Sequence, residues 1–196
     1  MDSPPRVLLA DDEPGLLDLY SAWLEGMDVE LVRASCGAEA LSHCEDGAVD
    51  VAILDRHMPR LSGDEVLETL CDRQTRPRVA FVTAAEPDVR IVELEIDAYL
   101  TKPVECEEFV GLIRALLQRE TLCEAVEGYV VNLSKRAALL ESKSCSMLRN
   151  DPTYTAFEEE LSRMASQLDG HHVDDPYLRR LRPDGSDPNP AADAPP

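Results

Sequence analysis

Over its first 118 residues the chain repeats one pattern five times: a short apolar run that ends in a polar residue, then a stretch with helical spacing. The clearest run is Val51-Ala52-Ile53-Leu54, which stops at Asp55 and is followed by Arg56-His57-Met58-Pro59. Apolar runs of about 4–8 residues between turn signals fit strands buried on both faces of a parallel sheet. The other runs are Val7–Ala10, Val29–Ala34, Arg78–Val82 and Ala98–Thr101. The first ends in Asp11-Asp12-Glu13-Pro14, the fourth in Thr83, and the fifth in Lys102-Pro103.

Between the runs the apolar residues take helical spacing. Leu16, Leu17, Tyr20, Trp23 and Leu24 precede Gly26, and Ala38, Leu41 and Cys44 share a face of Gly37–Cys44. Ser62-Gly63-Asp64-Glu65 has the form of a capping box and opens a helix through Val66, Leu67 and Leu70. A short helix is expected after Pro87 (Val89, Ile91, Val92, Leu94), and a longer one over Glu105–Gln118 with Phe109, Ile113, Leu116 and Leu117 inward. Strands alternating with helices predict an α/β fold, a parallel sheet with helices on both faces. Crossovers in such sheets are right-handed, so few topologies remain.

A parallel sheet gathers its strand ends on one edge, where open α/β sheets bind ligands. Asp11, Asp12, Asp55, Thr83 and Lys102 would meet there. Crowded carboxylates repel, and a divalent cation relieves them; Mg²⁺ takes one or two carboxylates plus waters and phosphoryl oxygens. A carboxylate can also act as a nucleophile and form an aspartyl phosphate. Lys102 supplies a point charge and Thr83 a hydroxyl, which suits the charge neutralisation that phosphoryl transfer needs. Each residue alone has an ordinary explanation. Asp11 and Asp12 could cap the first helix, Asp55 a turn; Thr83 could simply end a strand, and Lys102 could be solvated. Their recurrence at the ends of separate strands favours a joint site.

These residues carry a resemblance. Asp11-Asp12-Glu13-Pro14, Leu54-Asp55-x-x-Met58-Pro59 with Gly63, Val82-Thr83-Ala84 and Tyr99-x-x-Lys102-Pro103 together resemble the receiver domain of two-component response regulators, over about residues 5–118. The resemblance implies a flavodoxin-like five-stranded sheet of order 2-1-3-4-5. It implies that Asp55 accepts a phosphoryl group from a histidine kinase. Mg²⁺ would be held by Asp11, Asp12, Asp55 and the backbone carbonyl of His57. Lys102 and Thr83 would bind the phosphoryl group, and Thr83 with Tyr99 would form the switch. Such a domain is not an enzyme beyond its own phosphorylation and dephosphorylation. The sequence departs from the family between Thr83 and Lys102, which is short and carries Glu95-Ile96-Asp97-Ala98 before the tyrosine. The fourth helix should therefore be short or irregular, and Tyr99 could be a core aromatic instead of a switch.

Beyond the receiver an apolar stripe runs from Leu122 to Met147, with Val126, Leu133, Leu140 and Met147 seven apart and Tyr129, Val130 and Ala137 between. Asn150-Asp151-Pro152 interrupts it with a natural N-cap and first turn. Tyr154, Phe157, Leu161, Met164 and Leu168 then recur at helical spacing until Gly170. This predicts a helical hairpin over 119–169, either packed on itself or on the receiver, or presenting a seam for homodimerisation or a partner. Leu133-Ser-Lys-Arg-Ala-Ala-Leu139 and Tyr154-x-x-Phe157-Glu-x-Glu160-Leu161 are similar to the HalX domain of haloarchaeal response regulators. Residues 170–196, rich in Asp and Pro, are expected to be disordered, with Tyr177–Leu181 a candidate docking segment within them.

Composition adds exclusions. The formal net charge is −20, with three lysines against sixteen arginines and 39 acids. That balance disfavours phosphate-rich partners or reflects solubility in high salt. No basic recognition helix appears, so nucleic acid is not an expected partner. No run is apolar enough for a membrane span and no leader is evident, which predicts a cytoplasmic location. The six widely spaced cysteines are expected to be reduced. The expected function is a phosphorelay response regulator signalling through C-terminal helices. A DNA-binding transcriptional regulator, or a dimerising adaptor with vestigial phosphorylation, are the alternatives.

Overall fold

The structure is a computed structural model that describes residues 3–45, 48–73, 76–118 and 124–168. The expectations for Leu122, for Gly170 and for the tail 170–196 with Tyr177–Leu181 fall outside the described residues. Five strands form one sheet: β1 Arg6–Ala10, β2 Glu30–Ala34, β3 Val51–Leu54, β4 Arg78–Thr83 and β5 Ala98–Thr101. The order is β2-β1-β3-β4-β5 and every pair is parallel. This is the flavodoxin-like order expected, and β3 is buried at all four positions, as its unbroken apolar run requires.

Side chains alternate across the sheet, which separates two cores. On one face Val7, Leu9, Val51, Ile53, Ala80 and Val82 meet α1 (Pro14–Trp23) and α4 (Cys106–Gln118). Tyr20 of α1 stacks on Phe109 of α4 with ring centroids 4.5 Å apart. On the other face Leu8, Ala52, Leu54, Phe81 and Tyr99 meet α2 (Gly37–His43) and α3 (Gly63–Cys71). Helix α3 begins with the expected capping box: the Ser62 hydroxyl accepts from the Glu65 N–H, and the Glu65 carboxylate accepts from the Ser62 N–H at 2.8 Å.

The expected short helix after Pro87 is a five-residue 3₁₀ helix, Val89–Glu93. Five residues cannot cover the end of the sheet. The C-terminal segment covers it. Helix α5 (Glu124–Ser142) packs on β5 and on the 3₁₀ helix, and α7 (Pro152–Gln167) packs on both α5 and the 3₁₀ helix. Ala138, Leu139, Leu148, Tyr154 and Phe157 share one core with Ile91, Ile96 and Tyr99. A second cluster of Val126, Val130, Leu133 and Leu161 closes α5 against α7. Asp151 caps α7 as expected, accepting from the N–H groups of Thr153 and Tyr154. The hairpin thus packs on itself and on the receiver together, and its apolar seams are filled from within the chain.

The regular heptad expected to Met147 is interrupted. α5 ends at Ser142, a separate short helix α6 spans Cys145–Arg149, and Met147 is 65% exposed. The reason is packing on two sides. The face of α5 that meets β5 includes Ser134 and Lys135, both buried, beside Ala138 and Leu139. A helix gripped between a sheet edge and another helix has no single apolar stripe to display. Among the described residues Cys36, Cys44, Cys71 and Cys106 are free thiols.

Candidate functional site

Strand register builds the site. Ala10 pairs with Leu54, so Asp11 and Asp55 are the next residues on adjacent strands; the Asp55 N–H donates to the Ala10 carbonyl at 2.8 Å. Thr83 pairs with Thr101, so Lys102 follows directly, and its N–H donates to the Thr83 carbonyl at 2.8 Å. The strand-end residues therefore converge because hydrogen-bonded neighbours run out together.

Lys102 is the hub. Its Nζ donates to Asp11 Oδ2 at 2.7 Å and to Asp55 Oδ1 at 3.0 Å. Asp11 is 3% exposed, Asp55 5% and Thr83 0%. Burial alone would lower the Lys102 pKa, but its hydrogen bonds to both carboxylates and their charges outweigh that and raise it. The ammonium is held charged. Asp11 also accepts from the Glu13 N–H at 3.0 Å, which braces the turn leading into α1 while Asp11 takes part in the site. Asp12 is exposed, outside this buried pair. Asp55 Oδ2 accepts from the His57 N–H at 2.5 Å, which fixes the loop that carries the His57 carbonyl.

Gly63 explains its own place in the motif. Its N–H donates to the Arg56 carbonyl at 3.0 Å, and a Cβ there would run into the Asp55 carbonyl oxygen. Any side chain at 63 would push α3 away from the strand end that carries Asp55. Thr83 Oγ1 accepts from the Ala85 N–H at 3.2 Å. The Tyr99 ring lies at 2% exposure against Phe81, and its hydroxyl donates to the Ala85 carbonyl at 2.7 Å. Tyr99 is thus a core aromatic whose polar tip is tied to the same turn as Thr83.

A cation fits this chemistry. Two buried carboxylates already share one positive charge, the Lys102 ammonium, and hard oxygen donors suit Mg²⁺. Among the described residues no group of three His, Cys, Asp or Glu side chains is disposed around a metal position in this conformation. Asp11 and Asp55 are brought together; Asp12 sits at the solvent rim.

Sequence reasoning missed four residues around the site. Arg56 follows Asp55, pairs with Asp64 at 2.9 Å and lies 5.5 Å over the Phe81 ring. Ser134, Lys135 and Ser142 of α5 bond to the segment between Thr83 and Tyr99. The one signal for Lys135 was the rarity of lysine, since a chain that otherwise uses arginine keeps only three.

A family model described as the response regulator receiver domain matches residues 7–114. The chain belongs to this family. A putative transcriptional regulator of Haloferax volcanii is 40% identical to it over 163 residues, covering 83% of this chain and 26% of that protein. The transcriptional regulatory protein TrcR of Mycobacterium tuberculosis is 38% identical over 127 residues, 62% of this chain and 49% of the relative. KdpE of the same species is 30% identical over 170 residues, 84% of this chain and 75% of the relative. The chain therefore spans about a quarter of the first relative's length and about half of the second's. Among solved structures, the Francisella response regulator 1452 receiver superposes with a TM-score of 0.56 at 27% identity, covering 60% of this chain and 99% of that one. A CheY-like receiver from Methanospirillum hungatei gives 0.56 and 27%, covering 60% and 98%. Those receivers match over about the extent of the sheet and its helices, whereas the Haloferax and KdpE similarities are too long to stop there. No helix among the described residues is long and apolar enough to cross a membrane.

Proposed function

We propose that this receiver is the phosphoacceptor of a two-component phosphorelay, taking a phosphoryl group from a histidine kinase onto Asp55 and signalling through its C-terminal helices. The observation that carries the reading is the Lys102 ammonium held between Asp55 and Asp11 at the edge of the parallel sheet. An Asp55 carboxylate oxygen attacks the phosphorus of a phosphohistidine; the O–P bond forms, the P–N bond breaks, and the imidazole leaves with the electron pair and takes up a proton. Lys102 turns from the carboxylate to a phosphoryl oxygen, and the Thr83 hydroxyl donates to another. Asp11, Asp12, Asp55 and the His57 carbonyl are the groups that would hold Mg²⁺. When bound, the ion neutralises charge on the phosphoryl oxygens. Beyond its own phosphorylation and dephosphorylation the chain catalyses nothing.

The helical module 119–169 is read as HalX-like, on its Leu133–Leu139 and Tyr154–Leu161 motifs and on the haloarchaeal relative. The protein acts in the cytoplasm. A homodimer would use surfaces other than the seams between α5 and α7, which are filled within the chain. The test is incubation with Mg²⁺ and acetyl phosphate followed by intact mass. Wild type gains one phosphoryl group and Asp55→Asn gains none; equal uptake by Asp55→Asn removes the site assignment.

A second reading is favoured by the relatives' names, several of which are transcriptional regulators. In it the chain regulates transcription by binding DNA. Sequence-selective DNA binding by the full chain at near-molar KCl would establish it. The described C-terminal helices offer little for such a surface, since Arg136 pairs with Glu158 and Arg163 with Glu160.

A further inference from the structure

Helix α3 and the 3₁₀ helix Val89–Glu93 leave a groove of about 560 Å³ between them. Its floor is apolar, with Leu67 and Ile91 buried and Leu94 half-buried. Its rim carries Glu65, Glu68, Glu93 and Glu95, all exposed. The two arginines of the groove are committed within it: Arg56 is bonded to Asp64 at 2.9 Å and Arg90 to Asp88 at 2.7 Å. Glu65 accepts from Ser62 in the capping box, and Glu95 lies 3.7 Å from Arg76. Glu68 and Glu93 have no ion-pair partner among the described residues. An apolar floor with unpaired carboxylates at its rim fits an apolar segment that carries cations.

The chain itself supplies such a segment. Tyr177-Leu178-Arg179-Arg180-Leu181-Arg182 places three arginines within four positions, and no other four-residue window of the sequence does so. Tyr177, Leu178 and Leu181 are its apolar members. Residues 169–196 follow α7 outside the described residues. Helix α7 packs on the 3₁₀ helix that forms one wall of the groove, and its Phe157 shares a core with Ile91. From Phe157 to Leu168 the helix rises about 17 Å. From Leu168 to Tyr177 an extended chain spans up to about 30 Å. The segment therefore reaches the groove on its own tether. A short tether sets an effective concentration on the order of millimolar, so a contact too weak for a free peptide is occupied within the chain. We infer that the Tyr177–Arg182 segment docks into the groove between α3 and the 3₁₀ helix of its own chain. Its apolar side chains cover Leu67, Ile91 and Leu94, and its arginines meet Glu68 and Glu93. This docking needs no phosphoryl group.

The experiment is amide hydrogen exchange on the full chain across 64–71 and 89–95, without phosphodonor. Wild type is compared with a tail variant, Arg179→Ser with Arg180→Ser and Arg182→Ser, and with a groove variant, Glu68→Gln with Glu93→Gln. Glu68 and Glu93 are exposed, so neutralising them leaves the core intact. Both variants are expected to exchange about fivefold faster in both stretches, because opening of the groove no longer has to release a docked segment. The wild-type rates should be the same in dilute and in concentrated protein. Equal exchange in the three proteins overturns the docking. Faster exchange in only one of the two variants overturns the pairing of this segment with this groove. Protection that rises with protein concentration overturns the intramolecular assignment and gives the groove to the segment of a second copy.

Discussion

Two of the chain's three lysines are withdrawn from solvent, one at each side of the 83–102 segment. Lys102 sits between the Asp11 and Asp55 carboxylates, and Lys135 sits against the Val92 and Leu94 carbonyls. Both lose hydration, so burial disfavours the charged form of each. At Lys102 two formal negative charges outweigh that loss and the pKa is raised. At Lys135 the partners are neutral dipoles, and the charges of Asp97 and Glu95 only partly offset the burial; its pKa is lowered from 10.5 to about 8. The comparison separates a site built to hold charge from an interface built to hold shape. A neutral amine can still donate to two carbonyls, so the Lys135 contacts survive loss of its proton. The Lys102 pairing does not.

The sharpest break in this comparison is Lys102→Met. It leaves two buried carboxylates without their shared cation, and the unfolding free energy should fall by about 3–5 kcal/mol in denaturant titrations without divalent ions. Adding Mg²⁺ should restore part of that loss, because ligand binding to the folded state alone adds stability. A Lys102→Met protein as stable as wild type without Mg²⁺ would mean the pair is not strained by its own charge.

Next in size is Leu139→Ala on the module side. Leu139 is fully buried and shares its core with Tyr99 and Ile91. The loss should be about 3 kcal/mol. Because that core spans receiver and module, unfolding should remain a single transition. Two separate transitions would show that the module is an independent unit resting on the receiver.

The pH dependence is smaller and opposite in sign for the two lysines. A raised folded pKa, as at Lys102, contributes stability below the unfolded value of 10.5 that is lost as pH climbs through the folded one. A lowered folded pKa, as at Lys135, means the unfolded chain binds more protons above about pH 8, so stability rises with pH there. Between pH 8 and 10 the gain should reach about 2 kcal/mol and vanish in Lys135→Met. Arg76, Asp97 and Glu95 face the same group. Tyr20, Tyr99 and Tyr154 all have raised values, Tyr154 about 12, so their effect is a fall in stability that begins above pH 10. Burial also pushes the Cys44 and Cys71 thiols up, which lowers stability with rising pH from about 9, so the Lys135 effect is the difference between wild type and Lys135→Met; identical pH profiles for the two would put Lys135 in contact with water.

Ser62→Ala is the mildest test. It removes the capping box of α3, whose first residue Gly63 lies against the Asp55 carbonyl. A cost of about 1 kcal/mol is expected. Phosphoryl uptake should slow along with it if α3 positions Asp55, and stay constant if the strand register alone does so.

Much of the first region was written in residue order. Apolar runs of strand length, polar residues where each run stops, and glycine and proline at the turns specify the β-α alternation. Parallel pairing then forces Asp11, Asp55, Thr83 and Lys102 onto one edge, because each follows a residue hydrogen-bonded to a neighbouring strand. The shortness of the fourth helix was also legible, from the few residues between Thr83 and Tyr99. The second region was not. Nothing in the spacing of Leu133–Leu140 says that Ser134 and Lys135 turn inward, since a helix's own period records one apolar face and α5 has two neighbours. Where Asp12 points, and whether α5–α7 cover the sheet or another chain, are equally invisible locally. The sequence by itself determined the strands, their alternation with helices and the chemistry at the sheet edge, because those follow from periodicity and residue type; the strand order was implied only by the family resemblance. Only the tertiary structure decided that the C-terminal helices take the place beside the short 3₁₀ helix. That outcome depends on distant surfaces fitting together, with exposed carbonyls of one segment meeting a lysine some forty residues away.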